Sequence, residues 1–316
     1  MTSPLPIILH HFDPSPFSEK IRLAFGYKKI AWHSVQIPRI LPRPKLMPLT
    51  GGYRRTPTMQ IGADIYCDTQ IILRELERRF PTPTLFPGGN TGVPWAVSMW
   101  TDRTFFMNNV KISLGARGDA IPAEFLADRE RLFDAPLDVA GMRTAMPQSR
   151  DQFRAHIGWI ESQLGDGRPW LLGAELSLAD ISAYMIVWHL RTSLTDESID
   201  VAGLEPIFRS LPRTLEWERR MQAIGHGTRT ELSEDEALAI AAAAPPQTPV
   251  EADPGDPNGR KPGDRVGIVP DDYGKVAVTG TIVSLSAQHI AIARSESGVG
   301  DTVVHFPRAG FAVIPA

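Results

Sequence analysis

Cysteine is nearly absent: the chain of 316 residues carries one, Cys67. No internal disulfide can form and no cysteine-based metal site can be built, which suits a reducing compartment. An excess of charge of either sign is also missing. Thirty-three Lys and Arg stand against 36 Asp and Glu, a formal charge of −3. A chain so close to neutral has no global field to draw in a polyphosphate, so no nucleic-acid partner is expected. Long apolar runs are lacking too. The longest, Ala237–Ala244, is far short of the roughly 20 residues that cross a bilayer, so no membrane role is expected. The opening residues hold no basic patch leading into an apolar stretch, so no secretory signal is read there. A cytoplasmic location is the expectation.

Proline, by contrast, is plentiful: 28 residues, about 9% against an average near 5%. Six of them fall in Ala241–Pro262, which has no apolar periodicity and reads as an extended linker, over 245–262, that does not pack. On either side the sequence grammar differs.

Residues 1–85 alternate between strand-like and helix-like signals. Ile7–His10 reads as a buried strand, Phe17–Tyr27 as a helix, and Ala31–Ile37 as an alternating strand. Gly62 separates two short strand-like runs in a hairpin, and Ile71, Ile72, Leu76 and Phe80 mark one face of a further helix. The expected order is β-α-β, a short helix or loop, then β-β-α. Residues 93–244 read as almost wholly helical. Phe153, Ile157, Ile160 and Leu164 form an amphipathic face. Ser177-Leu-Ala-Asp180 is a capping box opening a helix that is apolar nearly all round, hence central, and Ser233–Glu236 is a second box. Residues 263–316 switch to β-branched runs punctuated by Gly, Asp and Ser. Four or five short strands with tight turns make a small β-barrel or sandwich.

Three places carry residues suited to chemistry. Ser15 stands at a strand-to-helix junction, where its hydroxyl, the first-turn amides and the helix dipole all favour an anion; its plainer role is a helix cap. Thr56-Pro57 opens a strand, where proline needs an edge, a strand start or a cis bond. A cis bond would aim the Thr56 backbone at a ligand, and the alternative is an ordinary turn. Asp68-Thr69 opens the next helix and holds a carboxylate there or simply caps it.

In order and spacing these three resemble the glutathione transferase superfamily over roughly Pro6 to Ala244. Leu171-Leu-Gly-Ala-Glu-Leu-Ser-Leu-Ala-Asp180 resembles the capping-box segment of that family's helical domain and is the most specific match. The resemblance implies a thioredoxin-like α/β N-terminal domain, an all-α C-terminal-like domain, and beyond them a small all-β, barrel-like module outside the usual architecture. It implies glutathione as co-substrate and no metal. Ser15 would donate to the sulfur, with Ser18, a turn on, as the alternative donor. Thr56 before Pro57 would pair its backbone with the cysteinyl unit, Asp68 and Thr69 would hold the γ-glutamyl end, and Phe17 and Arg55 complete the set. Lowering a thiol pKa near 8.5 by two units takes roughly 2.7 kcal/mol, the order that one hydroxyl and a helix N-terminus supply. Position 15 is Ser and not Cys, which disfavours mixed-disulfide chemistry. Arg54 and Arg55 either bind a glycyl carboxylate or stay solvated.

His11, Phe12, Trp100, Phe105 and Met107 are candidate walls of an apolar acceptor pocket, with Phe106 beside them, although core packing accounts for more of these. Cys67 reads as a small buried thiol. Arg129-Glu130-Arg131 reads as a solvated helix face. The β module has no positive stripe, so intramolecular packing or a protein partner is expected of it. Two functions follow: a transferase joining glutathione to, or reducing with it, a small apolar electrophile, or a non-catalytic binding or scaffold protein that recruits a partner through the β module. A homodimer is implied by the resemblance.

Overall fold

A computed structural model describes residues 5–194, 198 and 201–316. The N-terminal part runs β1 (Ile7–His11), α1 (Pro16–Tyr27), β2 (Ala31–Gln36), α2 (Leu46–Thr50), β3 (Thr58–Ile61), β4 (Asp64–Cys67) and α3 (Thr69–Arg79). This is the expected order, and the hairpin turns at Gly62, whose φ of +61° belongs to the region glycine occupies without strain. β1 pairs parallel with β2 and antiparallel with β3. The helical part follows as α4 (Gly92–Trp100), α5 (Phe106–Arg117), α6 (Ala123–Phe133), α7 (Val139–Thr144), α8 (Met146–Gln163), α9 (Leu178–Ser193), α10 (Glu205–Arg209), α11 (Pro212–Gln222) and α12 (Glu234–Ala243). Among the described residues no helix is long and apolar enough to cross a membrane.

α9 is central because its cap is wired into the core. The buried Asp180 carboxylate accepts from the Leu171 amide at 2.7 Å, the Ser177 amide at 3.0 Å, the Ser177 hydroxyl at 2.8 Å and Trp217 Nε1 of α11 at 3.0 Å. A buried carboxylate is tolerable only when so fully satisfied. One hydrophobic core runs from Leu9, Ile21 and Ile72 of the α/β part through Phe105, Phe153 and Ile181 to Trp217.

β5 (Thr228–Glu231) interrupts the stretch read as helical and pairs parallel with β2. All four of its residues are exposed, so it carries no apolar alternation to betray it.

The last five strands are β6 (Arg265–Pro270), β7 (Val278–Leu285), β8 (His289–Glu296), β9 (Gly300–Pro307) and β10 (Phe311–Pro315). β10 returns to pair with β6, giving the order β10-β6-β7-β8-β9. The five strands do not stand apart. β9 pairs parallel with β4, matching Asp64 to Val303 and Tyr66 to His305, so one sheet of ten strands spans both regions. An unpaired β4 would leave a row of open backbone groups, and β9 covers it. A second core cluster joins Leu49, Tyr53, Ile65 and Cys67 to Ile268, Ile292, Val304 and Phe306.

The proline-rich stretch differs from its sequence reading, because it is tied down along its length. The Gln247 amide and Thr248 hydroxyl donate to Asp64, and Glu251 bonds both Val283 and Leu285. Buried Asp256 accepts from the amides of Asn258 and Arg260 and from Arg308. Polar anchors rather than apolar periodicity hold it, and a hydropathy pattern cannot report them.

Candidate functional site

β1 ends on Phe12, and the chain turns through Asp13-Pro14-Ser15 into α1 with Pro16 in its first turn, where a missing amide hydrogen does no harm. Ser15 is the N-cap: its Oγ accepts from the Ser18 amide at 3.2 Å, and its side chain lies on the wall of a cavity of about 400 Å³ between the α/β and helical parts. Ser18 is fully buried outside that wall, and its hydroxyl has no hydrogen-bond partner.

The Thr56–Pro57 bond is cis. Asp68 caps α3 from a left-handed conformation, φ 93°, which costs a non-glycine residue on the order of 1–3 kcal/mol and is a common feature of binding sites. Its Oδ1 accepts from the Gln70 amide at 2.9 Å. Burial pushes the Asp68 carboxyl up to about 6, against the opposing pull of that amide and of Arg55.

Phe17, Arg55, Thr56, Pro57, Asp68 and Thr69 do come together, around one cleft. What completes the cleft is the chain's own C-terminal region. The loop from Asp271 to Gly274 is pinned at three points: Arg103 to Asp271 at 2.5 Å, Arg55 to the Asp272 carboxylate and the Tyr273 carbonyl, and the Gly274 amide to the Leu132 carbonyl at 2.7 Å. Gly274 has φ +59°, and a Cβ there would press to 3.0 Å on Leu132, so the turn takes glycine. The Arg55 guanidinium lies 4.0 Å from the centre of the Tyr273 ring. Gly310 and Phe311 close another side. About 40 Å³ is left, room for two or three waters. Arg55 is thus largely buried and paired within the chain, and Arg54 is likewise paired, with the buried Asp128 at 2.9 Å.

Behind Asp102 of the cleft wall, Lys20 of α1 is fully buried, its Nζ bonded to both oxygens of Asp102 at 2.8 and 2.9 Å and to Ser98 Oγ at 2.7 Å. Asp102 sits in a wide helical turn, Thr101–Phe105, that links α4 to α5. The wide turn directs this carboxylate at Lys20, and nothing in the local sequence announces it.

Of the five residues considered for an acceptor pocket, Phe12 lines the 400 Å³ cavity. His11 is buried away from it, its Nε2 3.0 Å from Ser34 Oγ and its Nδ1 3.2 Å from Arg22, and burial takes its pKa down to about 3. Phe105 is inside the core; Trp100 stacks on it at 5.3 Å and donates to His156. Met107 packs on the core from the outside. Phe106, the first residue of α5, lines the cavity together with Val110 one turn on. Cys67 is buried, which raises its thiol well above the ordinary range.

The sequence reading missed Arg39, Arg43, Arg117 and Arg129, all on the cavity wall, as well as Tyr273. Arg129 had the look of a solvated helix face. Instead it lies over the Phe125 ring at 4.7 Å and donates to the Arg39 carbonyl. No local signal separates such a residue from an ordinary surface arginine.

With this geometry in hand, known proteins supply the context. The family described as glutathione S-transferase, N-terminal domain, matches residues 9–84, and the glutathione S-transferase C-terminal domain matches residues 143–220. A solved GST-like protein from Pseudomonas syringae is 34% identical, with 97% of this chain and 99% of that one aligned at a TM-score of 0.76. That coverage takes in the β-rich C-terminal region. A glutathione S-transferase from Rhodospirillum rubrum is 22% identical over 69% of this chain and 88% of its own, TM-score 0.50, a likeness of fold. FtsZ-localized protein A of Caulobacter vibrioides is 29% identical over 180 residues, 55% of this chain and 73% of that protein. The chain belongs to the glutathione S-transferase superfamily, with a thioredoxin-like domain, a helical domain and an added set of C-terminal strands.

Proposed function

We propose that this chain is a binding protein built on the glutathione S-transferase fold, not a working transferase. The observation that carries the reading is the occupation of the Asp68–Thr69 cleft by Asp272 and Tyr273, with Arg55 engaged by them. The β-rich region faces inward onto the site, so its first role is to fill the cleft rather than to recruit. The relative named FtsZ-localized protein A supports the reading, since its name describes where a protein goes and no reaction. On this reading the chain is cytoplasmic and pairs with a second copy, which sedimentation would check.

The second reading is a glutathione transferase, favoured by Ser15 on the wall of a roomy cavity at a helix N-terminus. Calorimetric titration with glutathione and turnover of an aromatic halide separate the two. We expect no binding by the unaltered chain at about 1 mM tripeptide and no conjugation, whereas Tyr273→Ala, which empties the cleft, gains measurable affinity. Binding below that concentration, with turnover that collapses in Ser15→Ala, would establish the transferase and sink the first reading.

A further inference from the structure

The ten-stranded sheet ends at β10, which pairs with β6 on one side and with no strand on the other among the described residues. What that edge offers follows from the ladder. The Asp271 amide donates to the Gly310 carbonyl, and in an antiparallel pair such bonded positions recur at every second residue, here Ala312 with Val269 and Ile314 with Gly267. Phe311 and Val313 therefore turn their backbone groups away from β6. The Phe311 amide is taken by the Arg308 carbonyl, and the Val313 carbonyl accepts from Arg260 Nη2 at 3.1 Å. The Val313 amide and the Phe311 carbonyl are left on the open side.

Beside this edge lies a cavity of about 550 Å³, between Phe311 and Val313 and the proline-rich stretch from Asp253 to Arg260. Two arginines line it, Arg260 and Arg308, and both lean on one buried carboxylate. Asp256 accepts from Arg308 Nη2 at 3.1 Å and lies 3.7 Å from Arg260 Nη1, while it also accepts from the Asn258 and Arg260 amides. Arg308 Nη1 is buried with no hydrogen-bond partner, and among the described residues Arg260 Nη1 has no acceptor at hydrogen-bond distance. The other acid on the wall, Asp253, accepts from the Gly255 amide at 2.9 Å. Donors are therefore in surplus, and apolar surface lies next to them on the β10 side chains and on Ala287 and Ala309.

An open strand edge, a surplus of guanidinium donors and an apolar wall fit an extended chain that ends in the cavity. Its backbone pairs with the edge, its last side chain lies against Phe311 and Val313, and its carboxylate meets the guanidinium fork. A small anion would leave the edge unpaired, and the middle of a peptide would leave the donors unmatched. We propose that the β10 edge binds the C-terminal segment of a partner protein in extended form. Arg260, with Arg308 in support, holds the α-carboxylate, and the Val313 amide and Phe311 carbonyl hold the backbone. The proposal deepens the binding-protein reading, on which it rests for the presence of a partner, and does not need the Asp68 cleft to be filled.

The test is calorimetry on the full chain with the peptide acetyl-Ser-Val-Thr-Val as the free acid and as its C-terminal amide. The acid is expected to bind at least about tenfold more tightly, the order of a charge-assisted contact. Arg260→Met brings the acid down to the affinity of the amide. Val313→Pro removes the outward amide and leaves the bonded pairs with β6 in place, so it weakens acid and amide alike by about tenfold. Equal affinity for acid and amide, no binding of either, or full acid affinity in Arg260→Met would overturn the proposal. So would acetylvaline binding as tightly as the tetrapeptide, or a Val313→Pro chain that binds as the parent does, since the edge would then contribute nothing. Should Arg260→Met fail to show a folded thermal transition, the acid–amide difference and the Val313→Pro titration decide the matter. Glutathione conjugation that collapses in Ser15→Ala sinks the reading of the cleft and leaves the tetrapeptide result to be judged by itself.

Discussion

The cleft over Asp68 and the cavity beside Ser15 share Phe17, Arg55, Thr56 and Tyr273, yet their charges are settled in opposite ways. In the cleft both lining cations have a partner inside the molecule, Arg55 with Asp272 and Arg103 with Asp271. In the cavity, two of the six arginines, Arg39 and Arg117, have none among the described residues. A charge satisfied within the fold stabilises it and leaves nothing for a ligand. A charge left over costs stability and is open to one, which is the usual trade between stability and function. The two adjoining spaces differ in this way, and three measurements probe the difference.

The largest effect is expected at Asp128, which is buried and accepts from the Leu41 amide at 3.1 Å as well as from Arg54. Asp128→Asn removes one of the two countercharges behind the arginine wall and should cost about 3–5 kcal/mol in denaturant unfolding. A loss under about 1 kcal/mol would mean that the wall is not held by this carboxylate.

The next probe is Asp68→Asn, read against pH. The folded carboxyl sits near 6, above its ordinary value near 3.8, so the fold favours the protonated form. Its contribution is therefore intact below pH 4 and is lost as pH rises through 6. Asparagine caps as well as aspartate and stays neutral. The variant should match the parent at pH 4 and exceed it at pH 7 by about 2–3 kcal/mol, trimmed because Asp68 is partly exposed. An advantage that is the same at both pH values would place its origin in the backbone conformation and not in the charge.

The smallest effect returns to the cavity. Arg117→Met removes an unmatched cation from a cluster of like charges and should raise stability by about 0.5–1 kcal/mol without any ligand present. Destabilisation there would mean that Arg117 is structural and would blunt the contrast between the two spaces.

The elements that frame the site were legible because their signals are local. Ser15 and Pro16 mark the start of α1, Gly62 the hairpin, Asp68 the cap of α3, and Ser177 with Asp180 the cap of α9, each within a few residues of what it terminates. Arg129 and Arg117 gave no such signal, since an amphipathic helix carries arginines on its outer face whether or not another domain covers them. Tyr273 was silent for a stronger reason: it meets Arg55 across 218 positions of chain.

The sequence alone determined where most helices and strands begin and end, and that a unit of alternating strands and helices precedes a helical one. Those follow from period, capping and turn chemistry, which act over one or two turns of backbone. Only the tertiary structure decided that β9 would lie against β4, and hence that Tyr273 would stand in the cleft while Arg39 and Arg117 faced an open cavity. Pairing of distant edges and the summing of charges from separate segments depend on distances through space, and a linear pattern does not contain those distances.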